Sequence, residues 1–496
     1  MNKTTSAAVW LVIAILFVRA ATADSPGADN PKQTTKSPAK SASGPLRVHP
    51  TNPRYFTDGT RVADGSPRAV YLTGAHTWNN LVDMGRSDPP EAFDFDAYLN
   101  FLEKHDHNFI RLWAWDSTVW DTQANASLGK DFVHHVAPLP WQRTGPGKAL
   151  DGKPKFDLTK FDAAYFDRLR KRVQAAGGRG IYVSVMLFEG WGLMHGNRGR
   201  AAPEGWAWRG HPFNPANNIN RLTVEDSSDV HGRVHRLGNS AVNDLQAAYI
   251  RKVVDTVNDF NNVLFEVINE GGEKEWDWWV VKTIRDHEQT KSKQHPIGIT
   301  GHGAERIASM VASPADWVSP GRVDGYAEDP PAWDAKHMKV SLLDTDHIWG
   351  VGGNAAWVWK SFLRGHNPIF MDPYDGAVLG KPDDNRWPPI YRAMGQARRF
   401  AQRMNLASTE PATDLASTKY CLAAKGNEYL VYLPKGGAVT VELAGADGSF
   451  SVEWFDTQKG TVFHAETVQG GAKRELKSPF DNPSVVYLKL QATRKD

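Results

Sequence analysis

The stretch Asn262-Val263-Leu264-Phe265-Glu266-Val267-Ile268-Asn269-Glu270-Gly271-Gly272 decides how the rest of the chain is read. It has the form of a buried parallel strand that ends in two polar residues, after which glycines turn the chain. Outward from it, strand-like and helix-like segments alternate. Short apolar strands are expected at 69–73, 109–113, 181–188, 263–268, 296–300, 316–318, 340–343 and 368–371. Between them, Tyr165, Leu169 and Val173 share one helical face, as do Leu245, Tyr249, Val253 and Val257. Further helices are expected at 276–288, 355–363 and 390–403. Eight strands with intervening helices predict an α/β fold, a (β/α)8 TIM barrel over 47–403, with the opening stretch as its fourth strand.

The pattern changes after Met404. Runs at 429–433, 438–443, 449–455, 461–464 and 484–490 read as short strands divided by Gly, Asp and Pro turns, which predicts a small all-β sandwich over 404–496. Before the barrel, Tyr55 to Val62 reads as a hairpin turning at Asp58-Gly59. Residues 24–46 are rich in Pro, Ser, Thr, Lys and Gly and are expected to form a flexible, disordered tether. At the start, Lys3, an apolar run from Ala7 to Val18 and the small residues Ala21-Thr22-Ala23 read as a signal peptide over 1–23, implying a secreted or periplasmic protein.

Composition narrows the function. The 58 Lys+Arg nearly balance 56 Asp+Glu, so no excess of positive charge is present to neutralise nucleic-acid phosphates. The single cysteine, Cys421, rules out an intramolecular disulfide framework and a Cys-based zinc site. The sequence contains no zincin, nucleophile-elbow, Walker or dinucleotide motif, so no metal and no cofactor are expected. Nor is a membrane partner expected beyond export. Tryptophan is abundant, at 19 residues, and several follow a barrel strand: Trp78, Trp113, Trp115, Trp191 and Trp349. Such rings could stack on the C–H faces of sugars; packing in the core or loops is the alternative for each. The loop from Glu189 to about Leu237 is long enough to wall a cleft.

Asn269-Glu270 closing a fourth barrel strand resembles the clan A glycoside hydrolases. That resemblance implies Glu270 as general acid/base and Asn269 as the group that hydrogen-bonds the sugar 2-hydroxyl; Glu266 is a rival of the same strand parity. Asn108-Phe109-Ile110-Arg111-Leu112 is similar to the clan's second strand and implies that Arg111 supports the nucleophilic carboxylate. The seventh strand departs from the clan pattern. Val340-Ser341-Leu342-Leu343-Asp344-Thr345-Asp346-His347 has Asp where Glu is usual. On the pattern Leu-Asp-x-Glu, Asp346 takes the nucleophile position and Asp344 the preceding structural one; Asp344 itself and Glu328 are the other candidates. The separation of the two carboxylates would decide between retention and inversion, and the resemblance implies retention, with Glu270 kept protonated by burial and a neighbouring anion. His76, Trp78, His302, His347, Trp349 and Asp372, all at strand ends, are candidate substrate contacts.

The runs Gly74 to Leu81, Asp344 to Gly350 and Trp357 to Gly365 resemble a family of secreted cellulase-like barrels, many of which carry a C-terminal sandwich labelled collagen-binding. Tyr429 to Pro434 with Trp454-Phe455-Asp456 is similar to that module. The expectation is a secreted glycoside hydrolase with a carbohydrate substrate and a sandwich docked on the barrel. The alternative is a catalytically inactive carbohydrate- or matrix-binding protein, which the Asp at the nucleophile position would favour.

Overall fold

Eight parallel strands form the barrel in the computed structural model, which describes residues 42–121, 133–195, 207–224, 234–321, 323 and 325–491. They are β1 (Gly74–His76), β2 (Phe109–Leu112), β3 (Tyr182–Glu189), β4 (Val263–Asn269), β5 (Ile297–Thr300), β6 (Trp317–Ser319), β7 (Val340–Asp344) and β8 (Asn367–Met371). The sheet runs β1-β8-β7-β6-β5-β4-β3-β2. The seam between β1 and β2 is drawn together by Asn108, whose backbone N–H donates to the Thr73 carbonyl and whose Oδ1 accepts from the Thr73 N–H, both at 3.0 Å. Gly74 is required there, because a Cβ would lie 1.9 Å from the Phe109 carbonyl oxygen.

Nearly every residue of these strands is buried, as continuous apolar runs demand. Leu46, Phe56, Leu72, Phe109, Tyr182, Leu264, Trp317, Val340, Leu342 and Ile369 form one apolar cluster, to which most strands contribute from their N-terminal portions. Order therefore reaches further toward the N-terminus than the tether expectation: Leu46 is fully buried, and the Ala42 carbonyl accepts from Asn261. The expected signal peptide and residues 24–41 lie outside the described residues.

The outer helices start on side-chain caps. Asp162, Asn239 and Asn354 accept from the first-turn N–H groups of Ala163–Gly178, Ser240–Val257 and Ala355–Leu363. Two local expectations are corrected. The first strand lies at Gly74–His76 rather than 69–73, because Val70 instead pairs with Phe56 and Leu72 joins the apolar cluster. The hairpin turns around Gly65, not Asp58-Gly59: the Val62 N–H donates to the Ser66 carbonyl and the Arg68 N–H to the Thr60 carbonyl. Between β2 and β3 the chain adds strands that periodicity did not reveal, including the antiparallel pair Trp141–Lys148 and Pro154–Phe161.

After the helix Trp387–Arg403 the sandwich begins. Its larger antiparallel sheet orders β9 (Glu410–Pro411), β10 (Cys421–Ala424), β11 (Glu428–Leu433), β16 (Ser484–Leu490), β13 (Ser449–Asp456) and β14 (Val462–Gln469). The smaller pairs β12 (Ala438–Glu442) with β15 (Lys473–Lys477). One face packs on the barrel helices. Trp359 stacks on Tyr432 at 6.1 Å, Phe400 meets Phe455 at 5.5 Å, and Arg403 grips Glu453 through two 2.7 Å bonds.

Candidate active site

Residues of β4 and of the β7 end gather on one guanidinium of β2, and His76 at the end of β1 joins them through Asp344. Arg111, on β2, is buried and donates to Glu266 through Nε at 3.1 Å and Nη2 at 2.5 Å. Its Nη1 reaches Asp344 Oδ2 at 2.9 Å and Asp346 Oδ2 at 3.3 Å, while Nη2 also reaches Asn269 Oδ1 at 2.9 Å. The Trp113 ring lies 4.6 Å from the guanidinium carbon and stacks on His76 at 5.1 Å, so an aromatic floor supports the cation. Burial opposes a charged guanidinium, but Glu266 and Asp344 outweigh it and keep Arg111 protonated.

The two aspartates of the β7 end separate sharply. Asp344 is fully buried and saturated: His76 Nε2 lies 2.8 Å from Oδ2, Arg111 donates to it, and the Asp346 N–H donates to Oδ1 at 3.0 Å. Burial is the largest influence and opposes its ionisation, yet His76 and Arg111 together hold the carboxyl well below the usual range. An ionised Asp344 only accepts, so His76 Nε2 carries the hydrogen. Asp346 sits two residues further, in the short 3-10 turn Thr345–His347. Burial and the adjacent Asp344 push it up to about 6 against the pull of Arg111.

Glu270 follows the last residue of β4 with φ of +44°, a left-handed conformation unusual for a side chain of its size. It is 4 % exposed. One oxygen of Glu270, one of Asp346 and a ring nitrogen of His347 all lie within 4.8 Å of one another. His302 Nδ1, on the loop after β5, is 3.7 Å from Glu270 Oε2.

Donor and acceptor logic fixes the remaining protons. Arg111 only donates, so the Asn269 atom facing it is the amide oxygen. His347 Nε2 lies 3.3 Å from that oxygen and so carries a hydrogen; Nδ1 then accepts from Ser319 Oγ at 2.8 Å. Burial keeps His347 neutral, well below the usual histidine range. Glu270, Asp346 and His347 are close enough to share a small cation. The hydrogen on His347 Nε2 and the guanidinium beside Asp346 suit acid–base work better.

Each sequence-derived candidate has a definite place. Glu270, Asp346, Asp344, Asn269, Arg111, His76 and His347 come together, with His302 at the edge. Glu266 is spent on Arg111 and Ser184 beneath the cluster, and Glu328 is exposed elsewhere. His76 is corrected from a substrate contact to a group that holds Asp344. Trp78 is corrected likewise: it is 2 % exposed and packs among Trp113, Trp115, Trp120 and Trp191 with centroids 4.8–5.6 Å away. Trp349, half-buried against Trp357 at 5.5 Å, keeps surface open to solvent. Asp372 accepts from Tyr391 Oη at 2.7 Å, and burial pushes it up to about 7. Glu189, which ends β3 beside Asn269, was missed as a site residue; an acidic residue closing an otherwise apolar strand was its signal. A cavity of about 710 Å³, bounded by Trp141, Arg143, Phe156 and Arg209, lies in the inserted strands and includes none of these carboxylates.

Arg111→Met is expected to cost about 3–5 kcal/mol of stability, because it strands Glu266 and Asp344 as buried anions. Urea unfolding of both proteins measures it; an unchanged midpoint would show that the carboxylates do not depend on Arg111.

Residues 130–304 match the family described as "Domain of unknown function (DUF6298)", and residues 411–485 match "Putative collagen-binding domain of a collagenase". No curated protein matches the chain. Among solved structures, a putative glycoside hydrolase from Bacteroides vulgatus ATCC 8482 aligns at TM-score 0.59 and 15 % identity, covering 90 % of this chain and 82 % of that one. A glycoside hydrolase family 5 protein from the same organism aligns at TM-score 0.56 and 11 % identity, covering 91 % and 94 %. A third, titled glycoside hydrolase, aligns at TM-score 0.53 and 11 % identity over 92 % and 98 %. The chain therefore shares the fold of glycoside hydrolases, a TIM barrel with a C-terminal β-sandwich.

Proposed function

We propose that the protein is a secreted glycoside hydrolase that cleaves O-glycosidic bonds with retention, using Asp346 as nucleophile and Glu270 as acid/base. The observation that carries this reading is that one oxygen of Glu270 and one of Asp346, just beyond the ends of β4 and β7, lie within 4.8 Å of each other. Retaining enzymes hold their carboxyl groups about 5–5.5 Å apart, whereas inverting ones leave about 6.5–9.5 Å for a water. Asp344 is unsuited to attack, since His76, Arg111 and the Asp346 N–H all donate to it and stabilise its charge. Among the described residues, Asp346 receives one longer side-chain bond, from Arg111, and lies beside Glu270.

In this reading Glu270 protonates the leaving oxygen while Asp346 attacks the anomeric carbon. Glu270 then deprotonates the water that releases the sugar. Asn269 and His347 flank the two acids. Proton NMR of the first-formed product tests stereochemistry: the retained anomer is expected, and the inverted anomer would reject the mechanism.

The nucleophile must be ionised. Asp346, pushed up to about 6, is protonated below that pH, so kcat/KM is expected to fall about tenfold per unit on the acid side of about pH 6. A pH–rate profile flat down to about pH 4.5 would show that the Asp346 carboxyl is not raised in the free enzyme. Export rests on residues 1–23; N-terminal sequencing of protein recovered outside the cytoplasm is expected to begin near Asp24.

A further inference from the structure

We propose that Glu189 is a positioning residue for this site: a buried side chain that is anchored through one oxygen on the Gly192 N–H and holds the Asn269 amide in its working orientation beside Glu270 through the other. The inference rests on the glycosidase reading for its kinetic consequence, but not for its geometry. Glu189 ends β3 as the register partner of Asn269 and is 1 % exposed. Its Oε2 accepts from the Gly192 N–H at 2.7 Å, and its Oε1 accepts from Asn269 Nδ2 at 3.3 Å. The Glu189 N–H donates to Asp116 Oδ2 at 3.2 Å, and the same oxygen lies 3.2 Å from His235 Nε2. The strand end is thus pinned from both sides.

Asn269 cannot rotate its amide without loss. Its oxygen lies between Arg111 Nη2 and His347 Nε2, both donors, so Nδ2 must point toward Glu189. Glu189 in turn faces two N–H donors, one per oxygen. Glutamine in its place would turn an NH2 group onto either Gly192 or Asn269, a donor against a donor. Both oxygens of Glu189 therefore serve as acceptors, although burial favours its neutral form. Gly192 belongs to the same device. A Cβ there would lie 2.7 Å from Glu189 Oε2 and 2.9 Å from the Trp115 ring, so only glycine brings its N–H this close.

The test uses Glu189→Gln, Asn269→Ala, the double variant and Gly192→Ala, each checked for a cooperative melting transition. With a substrate in hand, Glu189→Gln is expected to lower kcat about 10–100-fold, the usual effect of a group that orients a site residue, with KM little changed. The double variant should be no slower than Asn269→Ala alone, since Glu189 acts through Asn269. Independent, additive losses would overturn the proposal. Crystal structures of wild type and Glu189→Gln form the second arm and need no substrate. Asn269 turned away from Arg111 is the expected result, and an undisturbed Asn269 would overturn it. Gly192→Ala reads the same displacement should Glu189→Gln not fold. If the wild type cuts no glycan, the functional reading fails, while the crystallographic arm still judges Glu189.

Discussion

Asp346→Ala is expected to abolish the first chemical step on every substrate, lowering kcat on the order of 10⁴–10⁶-fold, as loss of a covalent nucleophile does. A better leaving group cannot help, because no atom remains to attack the anomeric carbon. Asp344→Ala should behave differently. It leaves His76 and Arg111 without their shared acceptor, so it should destabilise the fold and disturb Asp346 indirectly. Stopped assays on both variants with an aryl glycoside separate them. Wild-type turnover by Asp346→Ala together with an inactive, fully folded Asp344→Ala would exchange the roles of the two aspartates.

Glu270→Ala is expected to cost about 10²–10⁴-fold on natural substrates, the span of general acid–base catalysis. A dinitrophenyl glycoside needs no proton to depart, so it should still load the enzyme and then stall, because nothing activates the incoming water. Azide attacks without base assistance and should restore turnover, giving the glycosyl azide of retained configuration. An inverted azide product would mean that Glu270 is the nucleophile and Asp346 the acid/base.

The barrel was legible because its strands are continuous apolar runs closed by polar residues, and Asn269-Glu270 closes the fourth. The first strand slipped because Val70 and Leu72 pack in the apolar cluster at the base of the barrel instead of pairing in the ring; the ladder starts at Gly74, where the absent side chain admits Phe109. The inserted strands went unseen because a strand such as Trp141–Lys148 is mostly exposed and carries polar residues, Gly and Pro in place of an apolar run or an apolar–polar alternation. The acids themselves could be named from sequence and given roles by the resemblance, but nothing in the strand itself separated Asp344 from Asp346. Asp344 and Asp346 differ through His76 on β1 and Arg111 on β2, which lie more than two hundred residues away along the chain. Tryptophan abundance was visible, but orientation was not: Trp113 supports the charged cluster, and Trp78 packs against Trp113. Glu189 carried a signal as the acidic end of β3, but only the β3–β4 register sets it against Asn269.

The central claim, that Glu270 and Asp346 form one hydrolytic pair, is tested most directly by reducing-end release across a broad panel of plant, algal and microbial glycans. Wild type, Glu270→Gln and Asp346→Ala are assayed side by side. The account predicts at least one glycan cut by the wild type and by neither variant at comparable rate. Release by either variant at the wild-type rate, or no release from any glycan by the wild type, would contradict it.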